Sequence, residues 1–206
     1  MAQVLTRRER QHQTRRRLLD AATRVFARRG YQQATLEEIA KEAGFTIGAV
    51  YSNFSGKEEL FLALADKEVE QRVAEIRAVA DAAERGDQPG VEAAEQFRRF
   101  LDNDPDWPLL FYEFWSFGVR NPKTREEFAK RRQAVRDALA ETLERVAAQL
   151  GFQLRFPAPA LATAISATLN GLAFERAADP DAIPEEVFAE FISAILACSV
   201  AAPTGQ

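Results

Sequence analysis

Thr46, Tyr51, Ser52, Asn53 and Lys57 place five hydrogen-bonding side chains within 12 residues, with Ile47, Gly48 and Ala49 among them. Hydroxyls, an amide and an ammonium are donors suited to phosphate oxygens, and a side-chain amide also matches a base edge. Gly48 and Ala49 allow a partner to come close. Such donors suit recognition of a nucleic acid better than bond making. No Cys–His pair, metal cluster, GxSxG, P-loop or Gly-rich dinucleotide loop occurs, so no catalytic residue, metal site or cofactor is expected. His12 is the one histidine and Cys198 the one cysteine, which excludes an intrachain disulfide.

Positioning those donors requires a short helix held by its neighbours. Thr35 and Glu38 form a T-x-x-E capping box, and Leu36, Ile39, Ala40 and Ala43 follow on one face at helical spacing. Gly44 ends that helix where a left-handed residue is needed. Thr46 then caps a second helix over 47–53, anchored by Val50 and Phe54. Ser55 and Glu58 repeat the capping box and open a third. Helix, glycine turn, helix in about 20 residues is the pattern of a helix-turn-helix, whose second helix lies in the DNA major groove. Lys57 would set a cation in the first turn of the third helix, against its dipole. A phosphate between the two would remove the conflict.

Residues 39–61, IAKEAGFTIGAVYSNFSGKEELF, resemble the DNA-binding signature of the tetracycline-repressor (TetR) family of bacterial regulators. The matching positions are Ile39-Ala40, Ala43-Gly44, Thr46, Gly48, Val50-Tyr51, Phe54, Lys57 and Leu60. The family often has His where Asn53 stands. The match covers roughly residues 17–62; beyond it, only the helical layout is similar. The resemblance implies DNA contacts from Thr35, Thr46, Ile47, Gly48, Ala49, Tyr51, Ser52, Asn53 and Lys57. It also implies a homodimer on an inverted-repeat operator and an effector pocket in the C-terminal part.

The chain has 206 residues, is 47% hydrophobic and carries −4 overall, a balance that by itself argues against a nucleic-acid partner. The distribution reverses this. Residues 1–57 hold 11 Lys+Arg against 5 Asp+Glu, or +6, and the remainder carries −10. A basic head on an acidic body confines the electrostatic footprint to one end. Glu175 and Glu190 interrupt the two longest apolar runs, and no signal-peptide core follows the N-terminal arginines. A cytoplasmic protein without a membrane partner is expected.

The remaining pattern is helical throughout, with no strand period and no repeat. Residues 1–13 read as a disordered basic arm whose arginines can enter a minor groove, with Thr14 capping a helix that Gly30 ends. Further helices are expected over 56–85, 91–101, 108–120, 122–150, 160–176 and 184–201. The expected organisation is an all-α chain: residues 1–56 as arm and helix-turn-helix domain, and 57–206 as a ligand-binding and dimerisation domain. The helix over 108–120 is apolar nearly all round and should be buried on most sides. It is the candidate wall of an effector pocket, with Phe111 and Trp115 as apolar groups and Glu113, Arg120 and Asn170 as polar ones. Small residues Ala160, Ala164, Ala167 and Gly171 allow close helix packing. With Phe188, Ile192 and Ile195, the last three of these form the candidate dimer interface. The competing reading is a small-molecule carrier or enzyme with an incidental helix-turn-helix. The absence of catalytic motifs counts against it.

Overall fold

The computed structural model describes residues 6–88, 92, 95, 107–179, 181 and 194. Seven helices are described: α1 (Arg7–Gln33), α2 (Leu36–Ala43), α3 (Ile47–Tyr51), α4 (Lys57–Glu84), α5 (Trp107–Gly118), α6 (Pro122–Leu150) and α7 (Ala158–Ala178). Apart from a single bridge residue, Leu154, all regular structure among the described residues is helical. The expected helix over 91–101 is described only at Glu92 and Glu95, both helical. The closing helix over 184–201, with Phe188, Ile192, Ile195 and Cys198, lies outside the described residues apart from helical Ala194. The chain divides into two compact units, Met1–Glu68 with Leu110–Arg125, and Val69–Leu109 with Glu126–Gln206.

In the first unit, the head, α1 starts well before the expected Thr14. Thr6 and Glu9 form a capping box: Glu9 N donates to Thr6 Oγ1 at 3.2 Å, and Thr6 N donates to Glu9 Oε2 at 2.7 Å. The basic stretch after Thr6 is therefore helical, not a free arm, because its own first turn satisfies the orphan amides. Gly30 interrupts α1 with φ 71° and ψ 165°, after which one further turn reaches Gln33. In α2 the Thr35/Glu38 box forms, and Leu36, Ile39, Ala40 and Ala43 are buried as the periodicity requires. Gly44 takes φ 72°, so that its N–H reaches Lys41 O at 3.1 Å and Phe45 N reaches Ala40 O at 2.9 Å. Those two bonds are a Schellman close.

At the start of α4 the expected Ser55/Glu58 box is replaced. Ser55 N donates to Glu59 Oε2 at 2.7 Å, and Glu58 instead accepts from Thr124 Oγ1 at 2.5 Å. Residues 110–125 thus belong with the head. Phe114 is fully buried there, stacked on Phe61 at 4.0 Å and edge-on to Tyr31 at 4.9 Å, while Phe26 meets Phe61 at 5.6 Å. Such aromatic pairs are worth about 0.5–1.5 kcal/mol each beyond their buried area. The expectation that α5 is buried on most sides is corrected. Trp107, Leu110 and Phe114 are buried, but Leu109, Trp115 and Phe117 remain 45–48% exposed.

In the second unit, Thr142 Oγ1 donates to Ile76 O, Arg77 pairs with Glu141, and Arg145 pairs with Asp81 and Glu84. Residues 76 and 77 meet 142 and 141, and 81 and 84 meet 145, so this part of α4 runs parallel to α6. Leu161, Ala162 and Ile165 of α7 pack on Leu143 of α6, with Leu139, Leu154 and Leu169 around them.

Candidate nucleic-acid interface

The reading helix α3 has five residues, and three devices hold it. Thr46 Oγ1 accepts from Ala49 N at 3.4 Å and caps its start. Val50 and Phe54 anchor it at 0% and 1% exposure. Arg15 of α1 donates to Asn53 O at 2.7 Å, with its guanidinium 4.1 Å from the centre of the Phe54 ring. Arg17 does the same for α2, donating to Ala43 O at 3.1 Å and lying 4.7 Å over Phe45. A cation at a helix C-terminus satisfies carbonyls that have no partner within the helix. Two arginines of the basic head are therefore structural. Their partners lie 38 and 26 residues away, so no local sequence signal marks them.

The outward side of α3 presents Gly48, Tyr51 and Ser52, and Tyr51 is 59% exposed. Ile47, Ala49 and Asn53 are half-buried, and the capping residues Thr35 and Thr46 are exposed. Ser52 Oγ and Asn53 Nδ2 both donate to Ala49 O, at 2.9 and 2.8 Å, and Asn53 Nδ2 also reaches Ser52 Oγ at 3.2 Å. Asn53 thus spends its donors inside the helix, and reading an acceptor on a base edge would require it to exchange them. A Cβ on Gly48 would meet only Thr46 Oγ1, at an ordinary 3.7 Å. The chain's own packing does not require glycine there, whereas close approach of a partner backbone would.

Lys57, expected to meet a phosphate, is engaged within the head when no DNA is present. Its Nζ donates to the carbonyls of Tyr31, Gln32 and Ala34 at 2.8, 3.0 and 3.0 Å, and lies 4.8 Å from the Tyr31 ring centre. An ammonium has three donors, and all three are engaged. The carbonyls at the end of α1 offset its conflict with the α4 dipole. Burial holds its pKa below the usual lysine value, and the charge of Glu113 works the other way. Burial, helped by Glu58, pushes the neighbouring Tyr31 phenol up to about 12.

Glu113, a candidate polar group for an effector, is also engaged within the head. Its oxygens accept from Tyr31 N at 2.8 Å and Gln32 N at 2.9 Å, the amides left open by the break at Gly30. Residues 31–34 are thus held between a carboxylate and an ammonium, directly ahead of the α2 cap Thr35. Of the other candidate pocket residues, Phe111 is half-buried with its ring edge-on to Tyr112, and Trp115 is 45% exposed. Asn170 belongs to the second unit, where its amide donates to Ser166 O. Arg120 reaches the carbonyl of Ser116 at 3.2 Å. Among the described residues, no three His, Cys, Asp or Glu side chains are grouped to hold a metal ion.

A capped reading helix closed by Arg15, beside an α2 closed by Arg17, and exposing Tyr51 defines a helix-turn-helix DNA-binding head. The comparisons with known proteins agree. Residues 18–64 match the family model of the bacterial regulatory proteins, tetR family, and residues 92–199 match that of the BetI-type transcriptional repressor C-terminal region. The chain therefore belongs to the TetR family of transcription regulators, which bind DNA through this head. It is 30% identical to the HTH-type transcriptional repressor AcnR of Corynebacterium diphtheriae, over 81% of this chain and 83% of that one. It is 31% identical to the HTH-type transcriptional activator FasR of Mycolicibacterium smegmatis, over 64% of this chain and only 59% of that protein. The fold is shared with FadR of Bacillus subtilis, solved in complex with stearoyl-CoA, at a TM-score of 0.72 and 17% identity, covering 90% of this chain and 97% of that one. Among the described residues, no helix is long and apolar enough to cross a membrane.

Proposed function

We propose that the protein is a cytoplasmic, homodimeric repressor that binds an inverted-repeat operator and is released from it by a small hydrophobic or amphipathic effector. The observation that carries this is the brevity of α3. Five residues with Tyr51, Ser52 and Gly48 outward can read only a few base pairs, so useful specificity needs two copies on two half-sites. The outward face of α7 supports a dimer. Ala160, Ala164, Ala167 and Gly171 are all exposed, and among the described residues nothing lies within 4 Å of a Cβ built at Gly171. Helices with such stripes can approach closely. Phe188, Ile192 and Ile195 stay with this interface as part of the proposal. The proposed DNA contacts are Thr35, Thr46, Ile47, Gly48, Ala49, Tyr51 and Ser52, with Asn53 after rearrangement.

The test is selection of duplexes from a random-sequence pool, followed by footprinting. An inverted repeat with half-site centres about 10–10.5 base pairs apart, or a multiple of that, is expected. Gly171→Glu should give a helical monomer with no cooperative binding to the repeat. A variant that remains dimeric at micromolar concentration would place the interface elsewhere.

The effector is proposed to bind beside α5, with Phe111 and Trp115 as its apolar contacts. Small hydrophobic compounds that change Trp fluorescence should also lower operator affinity, by roughly 5–150-fold for a coupling of about 1–3 kcal/mol. Hits that bind but leave operator affinity unchanged at saturation would remove the release mechanism.

A further inference from the structure

We propose that the first turns of α1 form a second DNA contact, in which Arg8 and Gln11 grip phosphates bordering the groove that α3 occupies. This rests on the reading of the protein as an operator-binding regulator. Residues 7–17 bury no side chain; the first buried residue of α1 is Leu18. At 1.5 Å per residue, this stretch carries the helix about 15 Å beyond the core of the head. Short polar helices are marginal in water on their own. This one is kept by the Thr6/Glu9 box at its start and by Arg15 and Arg17 where it meets the head.

The stretch holds six arginines and one acid, and that acid, Glu9, is spent on the cap. Arg15 and Arg17 close α3 and α2. Arg7, Arg8, Arg10 and Arg16 are exposed and pair with no acid among the described residues. Arg8, Gln11, His12 and Arg15 fall at i, i+3, i+4 and i+7 and share one face. The position of that face is fixed at its inner end, because Arg15 sits on the last turn of the reading helix, at Asn53 O and the Phe54 ring. Two turns further out, Arg8 continues the same stripe, and in the proposed complex it meets the sugar and phosphate wall of the groove that α3 occupies. Arg10 lies roughly 200° round the helix from Arg8, on the opposite face. The contact is thus a helical face on phosphates, sequence-independent, and distinct from an extended arm reading bases in a minor groove.

The experiment compares wild type, Arg8→Ala and Arg10→Ala, each checked for helicity by circular dichroism. Binding is measured at several salt concentrations to a duplex selected by the wild type and to a random duplex. Arg8→Ala should weaken both duplexes by the same factor and shallow the log K against log salt slope by about one per lost contact, hence about two per dimer. Arg10→Ala should leave both unchanged. A wild-type slope in Arg8→Ala overturns the proposal, as does an equal loss in the two variants, which would mean net charge alone matters. Loss confined to the selected duplex would mean base reading and also overturns it. If the wild type binds neither duplex, the regulator reading itself fails and this contact with it.

Discussion

Replacing Gly30 by alanine is expected to lower the unfolding free energy of the head by about 3 kcal/mol. Two causes add. At φ 71° and ψ 165° the residue occupies a region essentially closed to side chains, worth about 1–3 kcal/mol of strain for any L-residue. A Cβ there would also stand 2.7 Å from Glu113 Oε2. The carboxylate is the far end of a flexible chain and can swing away. Doing so strips the acceptor from Tyr31 N, part-buried, and from Gln32 N, exposed. Charge-assisted bonds are worth about 1.5–3 kcal/mol each when shielded, and water will replace the exposed one at little cost. Chemical denaturation of a double-mutant cycle separates the two causes. In a Glu113→Ala background, Gly30→Ala should cost only the strain. A Gly30→Ala protein within about 0.5 kcal/mol of wild type would mean that this backbone is not held at positive φ.

The elements made by neighbours in sequence were legible; those made across the chain were not. Thr35/Glu38, Gly44 and Thr46 specify α2, its close and the start of α3 within four residues of each other's partners, and each forms as the local rules require. Asn121 ahead of Pro122 likewise accepts from Lys123 N and Thr124 N to open α6. The start of α1 obeys the same rule, yet Thr6/Glu9 was masked by the expectation that an arginine-rich terminus is disordered. The Ser55 box chose Glu59 because Glu58 is claimed by Thr124, 66 residues on.

The candidate site shows the same division. Which residues of α3 point outward follows from Val50 and Phe54 being the anchors, and Tyr51 and Ser52 are exposed accordingly. The role of Lys57 could not be read locally, since its three acceptors lie 23–26 residues earlier. Helical period alone also could not say which aromatic residues of α5 enter a core. Phe114 does, against Phe61 and Tyr31 of the head, while Trp115 one position on does not. An apolar helix that stays open on one side is waiting for a partner or is a surface, and periodicity does not distinguish these.

Lys57→Met is expected to destabilise the head by about 2 kcal/mol while leaving the salt dependence of DNA binding at its wild-type slope. Methionine keeps an unbranched apolar stem and removes only the ammonium. Three carbonyls then lose a charged donor, at 2.8, 3.0 and 3.0 Å. Their gross loss is larger than about 2 kcal/mol, but two terms reduce it. The Gln32 carbonyl bond is exposed and can be rehydrated. Burial also holds the lysine's pKa down, so part of what the bonds supply goes to offset desolvation of the charge. The segment affected, 31–34, leads straight into Thr35 and so sets the approach of α2 to its cap. Weaker binding should therefore track the fraction of unfolded head and fall equally on every duplex. A phosphate contact behaves in the opposite way: its loss flattens the salt slope and leaves stability alone, as expected for Arg8→Ala. Measuring both quantities on both variants assigns each cation. If Lys57→Met proves as stable as wild type and loses about one unit of slope per protomer, its ammonium leaves the carbonyls for a phosphate when DNA is bound.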